Sequence, residues 1–396
     1  MIAFIIAPFA LALFIFIYLR TVKHLSKPAH FLNIFLLVAF ALYLFGGVII
    51  IIVAFFLPIS DFKGLLTKAS FYWLGFLLYF FVSLIIALIV RYIIWLFSNK
   101  QKYDKHLARH ITIAFVVIFT TIISIYGIKN AHELHITNYD VTIDKECDFD
   151  ELNVVLIADL HIGYNDGLKQ MQDMVDKVNS LNPDIIVVAG DIFDNEYEAI
   201  EEPEKIIEVL SNMKAKYGKY AVYGNHDIEE KILLGFTFHV TKEDKANVQA
   251  DERMNEFVEK AGFKLLYDDY VLINNSVYIY GRPDAQKINF GNTQRVAASD
   301  ITKDLDKSLP IIVIDHQPKD LEELSEAGVD LDLCGHTHAG QVWPGTLTIN
   351  LFWDNAYGLK KYGNMSNIVT SGVGLFGPNM RVDSKAEICN INIKFK

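Results

Sequence analysis

The first third of the chain consists mainly of long apolar runs, whereas the remainder alternates short apolar runs with polar segments. A helix that crosses the hydrocarbon core of a bilayer needs about 20 predominantly apolar residues, with a range of about 17–25. Buried helices of a soluble bundle, the alternative, would show a polar stripe, and these runs show none. The runs with almost no charge are Ile2–Leu19, Phe31–Leu57, Phe71–Val90 and Ile111–Ile128. They predict an all-α transmembrane bundle within residues 1–130, with helices at about 2–19, 31–57, 71–97 and 111–128.

The charges of the short connections predict the orientation of these helices. The basic residues are Arg20, Lys23 and Lys27 in the first connection, Lys63 and Lys68 in the second, and Lys100, Lys102, Lys105 and Arg109 in the third. Cytoplasmic loops of membrane proteins carry an excess of lysine and arginine. The first and third connections are therefore predicted to be cytoplasmic, which places everything after residue 130 outside the cytoplasm in a multi-pass membrane protein.

Residues 131–396 form one large domain, in which five short β-rich runs each lead, within three residues, into residues of metal-binding type. The pairs are NVVLIA before Asp159 and His161, DIIVVA before Asp191 and Asp194, KYAVY before Asn225, His226 and Asp227, PIIVI before His316, and VDLDL before His336 and His338. Helical patterns separate the first three runs. Near-continuous apolar strands suit a sheet buried on both faces, and the loops at strand ends build the sites of α/β proteins. The pattern therefore predicts an α/β domain with these residues gathered at one edge.

The composition argues against a nucleic-acid-binding protein and against a disulfide-stabilised scaffold. The net charge of −11 argues against a nucleic-acid-binding surface. The three cysteines give no disulfide framework.

The five motifs, in this order, resemble those of the calcineurin-like metallophosphoesterases. They read ADLHIG, AGDIFD, YGNHDI, IDHQP and CGHTHAGQ, and the resemblance covers roughly residues 153–381. GHTHAGQ and the later GVGLFGPNMRV are similar to the membrane-attached bacterial branch of that family. The resemblance implies a mixed β-sandwich flanked by helices.

The resemblance also implies two metal ions that share one carboxylate. Its ligand sets are Asp159, His161, Asp191 and His338 for one ion, and Asp191, Asn225, His316 and His336 for the other. Imidazole and carboxylate ligands together suit Mn, Fe or Zn. Two such ions close together can clamp the attacking and leaving oxygens of a phosphoryl transfer. The alternative for the shared Asp191 is a loop-capping aspartate.

His226 has a separate role by the same resemblance, in which it contacts the phosphate or the leaving group. Asp194 or Asp227 would orient its ring, and the resemblance favours Asp194. The alternative is a structural histidine that hydrogen-bonds within its turn. Arg282 and Arg381 are candidates for contacting a substrate phosphate, with ordinary surface arginines as the alternative.

Two segments could set substrate choice. Residues 230–262 would form a lid or a membrane-dipping element, or alternatively a helix that packs on the sheet. Residues 347–363 carry aromatic side chains close to the last histidines.

We therefore expect a membrane-anchored, dinuclear metal-dependent phosphoesterase. The resemblance implies in-line attack of a metal-bound hydroxide on a phosphodiester or pyrophosphate, and proximity to the bilayer favours a lipid-linked or envelope substrate. One alternative is a cytoplasmic-face hydrolase of a UDP-diacylglucosamine-type lipid precursor. The other is a non-catalytic binding or sensing protein on the same fold. The role of the helices beyond anchoring stays open.

Overall fold

The structure is a computed structural model that describes residues 30–98, 103–230, 232–233, 236–237, 251–285 and 295–396. The predicted first span, at 2–19, lies outside the described residues. The described part of the first third folds into three helices, which are α1 (His30–Phe56), α2 (Asp61–Phe97) and α3 (Lys105–Ala131). The three later apolar runs are therefore helical, and the predicted four-helix bundle is not confirmed.

Helix α2 begins ten residues before the predicted span. The Ser60 side chain accepts a hydrogen bond from the Lys63 backbone N–H and caps this helix at its N-terminus. The interpretation of Lys63 and Lys68 as loop residues was therefore wrong, because both lie within the first turns of α2.

Two of the helices, α2 and α3, are long and apolar enough to cross a membrane, whereas the apolar stretch Leu42–Phe56 of α1 is shorter. Only 28% of the apolar window in α2 and 22% of that in α3 is buried within the protein, so neither resembles the core helix of a soluble protein. Between them, the Ser83 hydroxyl lies 3.0 Å from the Thr120 hydroxyl in a buried contact.

The remaining described chain is an α/β domain. Its strands are β1 (Leu134–Ile143), β2 (Glu151–Ile157), β3 (Ile185–Ala189), β4 (Lys219–Val222), β5 (Ile232–Leu233), β6 (Phe236–Thr237), β7 (Lys264–Leu265), β8 (Asp269–Ile273), β9 (Val277–Gly281), β10 (Ile311–Ile314), β11 (Leu331–Cys334), β12 (Gly358–Tyr362), β13 (Met365–Val369) and β14 (Ala386–Phe395). Its helices are α4 (Leu168–Ser180), α5 (Pro203–Ser211), α6 (Glu252–Lys260), α7 (Leu321–Ala327) and α8 (Gly345–Thr348).

Within the described residues the strands form two mixed six-stranded sheets and a small hairpin. The first sheet has the order β1-β14-β2-β3-β4-β7, the second has the order β12-β13-β11-β10-β9-β8, and β5 pairs with β6. Fully buried side chains from both large sheets, such as Leu156, Val187, Ile312 and Leu333, form one shared apolar core. The α/β prediction is confirmed, and the two sheets pack face to face as the resemblance implied.

Helices α2 and α3 also pack directly on this domain. Met380 and Val382, from the segment before β14, form an apolar cluster with Tyr79 of α2. A Cβ atom added to Gly75 would lie 2.3 Å from the Met380 methyl carbon, so glycine permits this close approach. The Arg381 backbone N–H donates to the Gly127 carbonyl of α3 at 2.9 Å. The apolar helices and the domain therefore share one continuous interface.

The segment 230–262 is described only in part. Its C-terminal helix α6 buries Met254, Phe257 and Val258 in the apolar core that lies between the first sheet and helices α4 and α5. This part matches the alternative of a helix packed on the sheet. The hairpin β5–β6 contacts α1.

Candidate metal centre

The five predicted loops follow strands β2, β3, β4, β10 and β11, and they converge at the carboxyl ends of these strands. The first three strands are neighbours in one sheet, and the last two are neighbours in the other. Because both sheets contribute loops to the same edge of the sandwich, residues that are distant in sequence meet there. Asp159, His161 and His338 form one group of possible ligands, and Asp191, His316 and His336 form a second.

The first group, which we call the first ligand cluster, joins the loops after β2 and β11. The Nε2 atoms of His161 and His338 lie 3.1 Å apart. Asp159 Oδ1 lies 3.7 Å from His338 Nε2. All three side chains are buried.

The second ligand cluster is centred on His316. Its Nε2 atom lies 3.1 Å from Asp191 Oδ2, 3.2 Å from Asn225 Oδ1 and 3.1 Å from His336 Nδ1. The other ring nitrogen, Nδ1, lies 2.8 Å from the Ala189 carbonyl oxygen. When Nδ1–H donates to this carbonyl, Nε2 keeps its lone pair for a ligand, which is the usual arrangement of a metal-bound histidine.

Asp191 lies between the two clusters. Its Oδ2 atom is 3.9 Å from His161 Nε2 in the first cluster and 3.1 Å from His316 Nε2 in the second. The His226 backbone N–H donates to its Oδ1 atom at 2.8 Å. The carboxylate is thereby held facing both groups, and the alternative of a loop-capping aspartate does not account for its contacts with two histidines.

The spacing of these atoms fits a bound cation. Ligand atoms at about 2.1 Å from one ion lie roughly 3.0–3.4 Å from each other in octahedral or tetrahedral geometry. The shortest separations in the clusters, 3.1 Å, fall within this range. Two imidazole nitrogens without a proton between them would repel at that distance. The donor set of imidazoles, carboxylates and one amide therefore fits metal binding.

The backbone is strained at the predicted ligands. Asp159, His161, Asp191, His336 and His338 all have positive φ, between 44° and 73°. This left-handed region is uncommon for residues other than glycine, and each such residue costs on the order of 1–3 kcal/mol. Strain of this kind is concentrated at functional sites. The sharp turns it produces aim successive side chains from strand ends into one centre.

Burial and mutual charge shift the pKa values of these groups in different directions. Burial lowers the pKa of His316, but Asp191 overcomes it and raises that pKa well above its usual value. Burial raises the pKa of Asp191, but the surrounding His316, His226 and His161 imidazoles outweigh it and hold that pKa well below its usual range. Burial and the neighbouring His316 lower the pKa of His336 to about 3. Burial also lowers the pKa of His338, well below its usual value. The ionised Asp191 and the neutral His336 and His338 are metal-binding forms, whereas His161 and His316 would release a proton when a metal binds.

His226 lies beside the clusters, but its partner differs from the sequence-based assignment. Its Nδ1 atom is 2.5 Å from Asn195 Oδ1. The Asn195 side-chain amide donates to the Ile228 carbonyl at 2.9 Å, which turns its oxygen toward the histidine. Asn195 therefore orients His226, and the assignment of this role to Asp194 or Asp227 was wrong. The residue directly after the Gly-Asp-x-x-Asp motif was the missed signal.

The two aspartates have other partners. Asp194 Oδ1 lies 3.7 Å from His161 Nδ1, so this carboxylate faces a predicted ligand. Burial lowers the pKa of His161, but Asp194 and Asp191 overcome it and raise that pKa to about 9. The Asp227 carboxylate accepts hydrogen bonds from the backbone N–H groups of Phe193 and Gly224, and it thereby ties two ligand loops together.

Arg282 and Arg381 are buried, which excludes the surface alternative, and their contacts do not fit a substrate phosphate either. Arg282 forms an ion pair at 2.8 Å with Asp315, which directly precedes the predicted ligand His316. Arg381 donates to four backbone carbonyls, those of Ser371, Gly372, Gly374 and Lys385. Its Nη2 atom also lies 3.4 Å from His338 Nδ1. Both guanidinium groups support ligand loops from behind.

Two aromatic side chains line the centre. The Phe376 ring lies 5.3 Å from the His226 ring and 6.1 Å from the His161 and His338 rings. The Trp353 ring lies 5.0 Å from the His336 ring. The aromatic content of residues 347–363 pointed to Trp353, and Phe376 lies in the GVGLFGPNMRV segment, for which the sequence indicated no role in the centre.

Residues 152–340 match the family described as calcineurin-like phosphoesterase. A transmembrane protein with metallophosphoesterase domain from Danio rerio is 29% identical over 70% of this chain and 62% of its own length. An uncharacterized metallophosphoesterase from Helicobacter pylori is 32% identical over 61% and 60% of the two chains. Another from Campylobacter jejuni is 26% identical over 96% and 95%. The chain spans about three fifths of the first two relatives.

Proposed function

Because this chain belongs to the calcineurin-like phosphoesterase family, we propose that it is a membrane-anchored phosphoesterase that uses two metal ions to hydrolyse a phosphodiester or pyrophosphate bond. The family acts on phosphoric esters, and the chain holds candidate metal-binding groups at the matched motifs. The number and identity of the ions, Mn, Fe or Zn, belong to the proposal, as do the bond and the substrate.

One observation carries the proposal of two ions, which is the position of Asp191 between the two ligand clusters. Its Oδ2 atom lies within 4 Å of a histidine from each. A single carboxylate that faces both groups can neutralise part of the repulsion between two neighbouring cations. Ions bound there would supply a nucleophile from water near neutral pH and stabilise negative charge on the transferring phosphoryl group.

His226, oriented by Asn195, would supply the proton to the leaving group. Because the Asn195 amide oxygen accepts from Nδ1–H, the ring presents Nε2 toward the centre. When the ring is also protonated at Nε2, that proton can pass to the departing oxygen and leave a neutral ring with Nδ1–H on Asn195, and such general acid catalysis contributes about 10²–10⁴-fold in rate. Phe376 covers the His226 ring and helps to exclude water from it.

The substrate proposal rests on the apolar helices. Relatives named as transmembrane proteins, together with helices α2 and α3, indicate membrane association. These helices pack on the segment that contains Arg381, which contacts the ligand His338. A centre that is held this close to membrane-associated helices favours a phosphate ester carried by a lipid or by the cell envelope.

Turnover and metal content of two variants test the catalytic proposal. Full-length protein in detergent is incubated with Mn²⁺ and a soluble aryl phosphodiester. We expect Asp191→Ala to lower both metal content and turnover. We expect His226→Ala to keep the metal but to lose at least about 100-fold in turnover. The exposed Asp304→Ala is the matched control. Wild-type turnover in both site variants would instead support the non-catalytic binding or sensing protein.

From the charges of the loops, we propose that the phosphoesterase domain lies on the extracytoplasmic side of the membrane. Protease treatment of intact spheroplasts, with detection of the C-terminal domain, tests this orientation. We expect the protease to digest the C-terminal domain in intact spheroplasts. Protection until lysis would overturn the orientation and favour the alternative substrate, a nucleotide-linked lipid precursor at the cytoplasmic face.

A further inference from the structure

An exposed apolar segment runs between the apolar helices and the metal centre. Leu347, Leu351 and Phe352 expose 63%, 80% and 76% of their surface. Among the described residues after Ala131 these are the most exposed large apolar side chains, since the next, Tyr270 and Leu359, reach only 41%. A soluble surface rarely gathers several such side chains within six residues, and a cluster of them indicates a contact with a partner.

Both ends of this segment are fixed by packing. At its N-terminal end, Val342 and Trp343 pack on the cluster formed by Tyr79, Met380 and Val382. Tyr79 lies inside the apolar run of α2, so Trp343 packs beside a part of the helix that is predicted to lie in the bilayer. The Thr346 hydroxyl donates to the Asp383 carboxylate at 2.7 Å and secures the turn that follows.

At its C-terminal end the segment reaches the second ligand cluster. Trp353 lies against His336, with 5.0 Å between the ring centroids. Phe352 and Trp353 line a cavity of about 410 Å³ together with Pro318 and Lys319. The exposed leucines therefore stand between a helix-packed tryptophan and a tryptophan that touches a predicted metal ligand.

Charged side chains of both signs accompany the apolar side chains near the centre. The Lys319 ammonium lies 5.6 Å from the Trp353 ring centroid. The Lys360 ammonium donates to the Asp354 carbonyl at 2.7 Å. The Asp320 and Asp354 carboxylates line the same cavity, so the charge beside the segment is balanced, and membrane contact depends on its apolar side chains.

We propose that Leu347, Leu351 and Phe352 insert into the interfacial layer of the bilayer and place the metal centre at the level of lipid headgroup phosphates. This inference rests on the proposed membrane anchoring of α2 and α3, whose interface with the domain continues into Trp343. An interfacial element buries its apolar side about 5–10 Å into the headgroup and acyl boundary, which a segment of this length can do. A lipid phosphate then enters the centre without leaving the membrane.

Fluorescence quenching in lipid nanodiscs tests the insertion without requiring turnover. The full chain carries Cys147→Ser, since Cys334 and Cys389 are fully buried and Cys147 is partly exposed. A fluorophore is attached through Leu351→Cys, or through Leu347→Cys in a second protein. The nanodiscs contain lipids that either carry a nitroxide on the acyl chain, close to the headgroup, or carry none. Tyr270→Cys, on β8 and 41% exposed, is the matched control.

We expect nitroxide lipids to reduce the fluorescence at both leucine positions by about twofold or more, and to leave that at position 270 unchanged. Fluorescence at positions 347 and 351 that matches the control would overturn the inference. This result is separable from a failure of the proposed catalysis, which would appear as loss of turnover on the soluble phosphodiester while quenching persists. Thermal unfolding of each labelled protein verifies that it is folded.

Discussion

The Lys63 ammonium, in the first turn of α2, lies 2.7 Å from the Glu196 carboxylate in the loop after β3. Both side chains are buried, and the Tyr164 hydroxyl donates to the same carboxylate. Glu196 directly follows Asn195, whose amide oxygen contacts His226. The ion pair therefore connects an apolar helix to the residue that orients the proposed proton donor.

Replacing Lys63 with methionine should destabilise the protein strongly. The variant leaves the Glu196 charge buried without its cation, and breaking a buried ion pair in this way costs about 3–5 kcal/mol. The midpoint of thermal unfolding of the full chain in nanodiscs measures this effect. Because Glu196→Gln removes the unpaired charge, the double variant Lys63→Met/Glu196→Gln should recover much of the loss.

The matched control for this variant is Lys169→Met. Lys169 forms an exposed ion pair with Asp173, with 87% of its side chain accessible, and such pairs contribute about 0–1 kcal/mol. Equal unfolding midpoints for the two lysine variants would show that the buried Lys63–Glu196 pair contributes no more to stability than the exposed Lys169–Asp173 pair.

Asn195→Ala should impair turnover without removing metal. The His226 ring loses its acceptor, so its Nε2 atom is no longer held toward the centre, and we expect kcat to fall by about 10–100-fold. Asn195→Asp keeps an acceptor at the same position, and its carboxylate favours the protonated ring. This variant should retain more activity, with the basic limb of the pH–rate profile shifted upward.

Metal content and a pH–rate profile for each variant distinguish positioning from general damage. Asn212→Ala, at an exposed position at the end of α5, is the control. If both Asn195 variants lost metal, or if their pH–rate profiles matched that of the wild type, Asn195 would not act through His226.

Gly224→Ala should disrupt both ligand clusters. An added Cβ would lie 2.2 Å from Asp191 Oδ1 and 2.6 Å from the Asp191 backbone nitrogen, and backbone atoms cannot move aside without shifting the loop. We expect the bound metal, measured by elemental analysis, to fall to less than half of the wild-type content. Gly167→Ala is the matched control, because its added Cβ meets nothing within 4 Å. Full metal content in Gly224→Ala would contradict the geometry of the Asp191 loop.

Asp332 predicts a pH dependence of stability that is separate from the metal centre. Burial, reinforced by the nearby Asp315, raises the pKa of Asp332 to about 7. The folded state therefore binds this proton more tightly than the unfolded chain does. The resulting stabilisation is complete below the ordinary aspartate pKa of about 4, and it is lost as the pH rises through about 7.

Unfolding midpoints of wild type and Asp332→Asn between pH 4 and pH 8 measure this contribution. The asparagine mimics the protonated acid, so the wild type should lose stability relative to the variant by about 1 kcal/mol per pH unit between pH 4 and pH 7, with no further change above that. Asp304→Asn, which is exposed, should run parallel to the wild type. A constant difference between Asp332→Asn and the wild type would show that this carboxyl does not titrate on unfolding.

The sequence allowed the ligand loops to be predicted because their signals are local. In each, one or two residues separate the end of an apolar strand of four or more residues from a metal-binding residue, and the carboxyl ends of neighbouring strands must meet. The buried roles of Arg282 and Arg381 carry no such signal, because they depend on carbonyl and carboxylate groups that only the fold brings to them. The same holds for Asn195, whose partner His226 lies on another loop.

The helix boundaries also divide into those with a local sequence signal and those that depend on contacts made only in the fold. The apolar run identified the body of α2, but it could not show that the helix begins at Asp61. That extension depends on the Ser60 cap and on the distant Glu196, which makes burial of Lys63 tolerable. Hydropathy alone therefore placed Lys63 and Lys68 in a loop, because charged residues lower the hydropathy of the segment.

The interface of Gly75 and Gly127 with the segment around Met380 and Arg381 has a consequence for how the activity could be regulated. Cleavage of the chain after Ala131, with loss of the helices, would expose the apolar side of that segment to water and remove the Gly127 carbonyl to which the Arg381 backbone donates. We therefore expect that proteolytic shedding inactivates this protein instead of releasing a diffusible form. Its chemistry would then stay confined to the two dimensions of the membrane, where the supply of substrate is set by lateral diffusion.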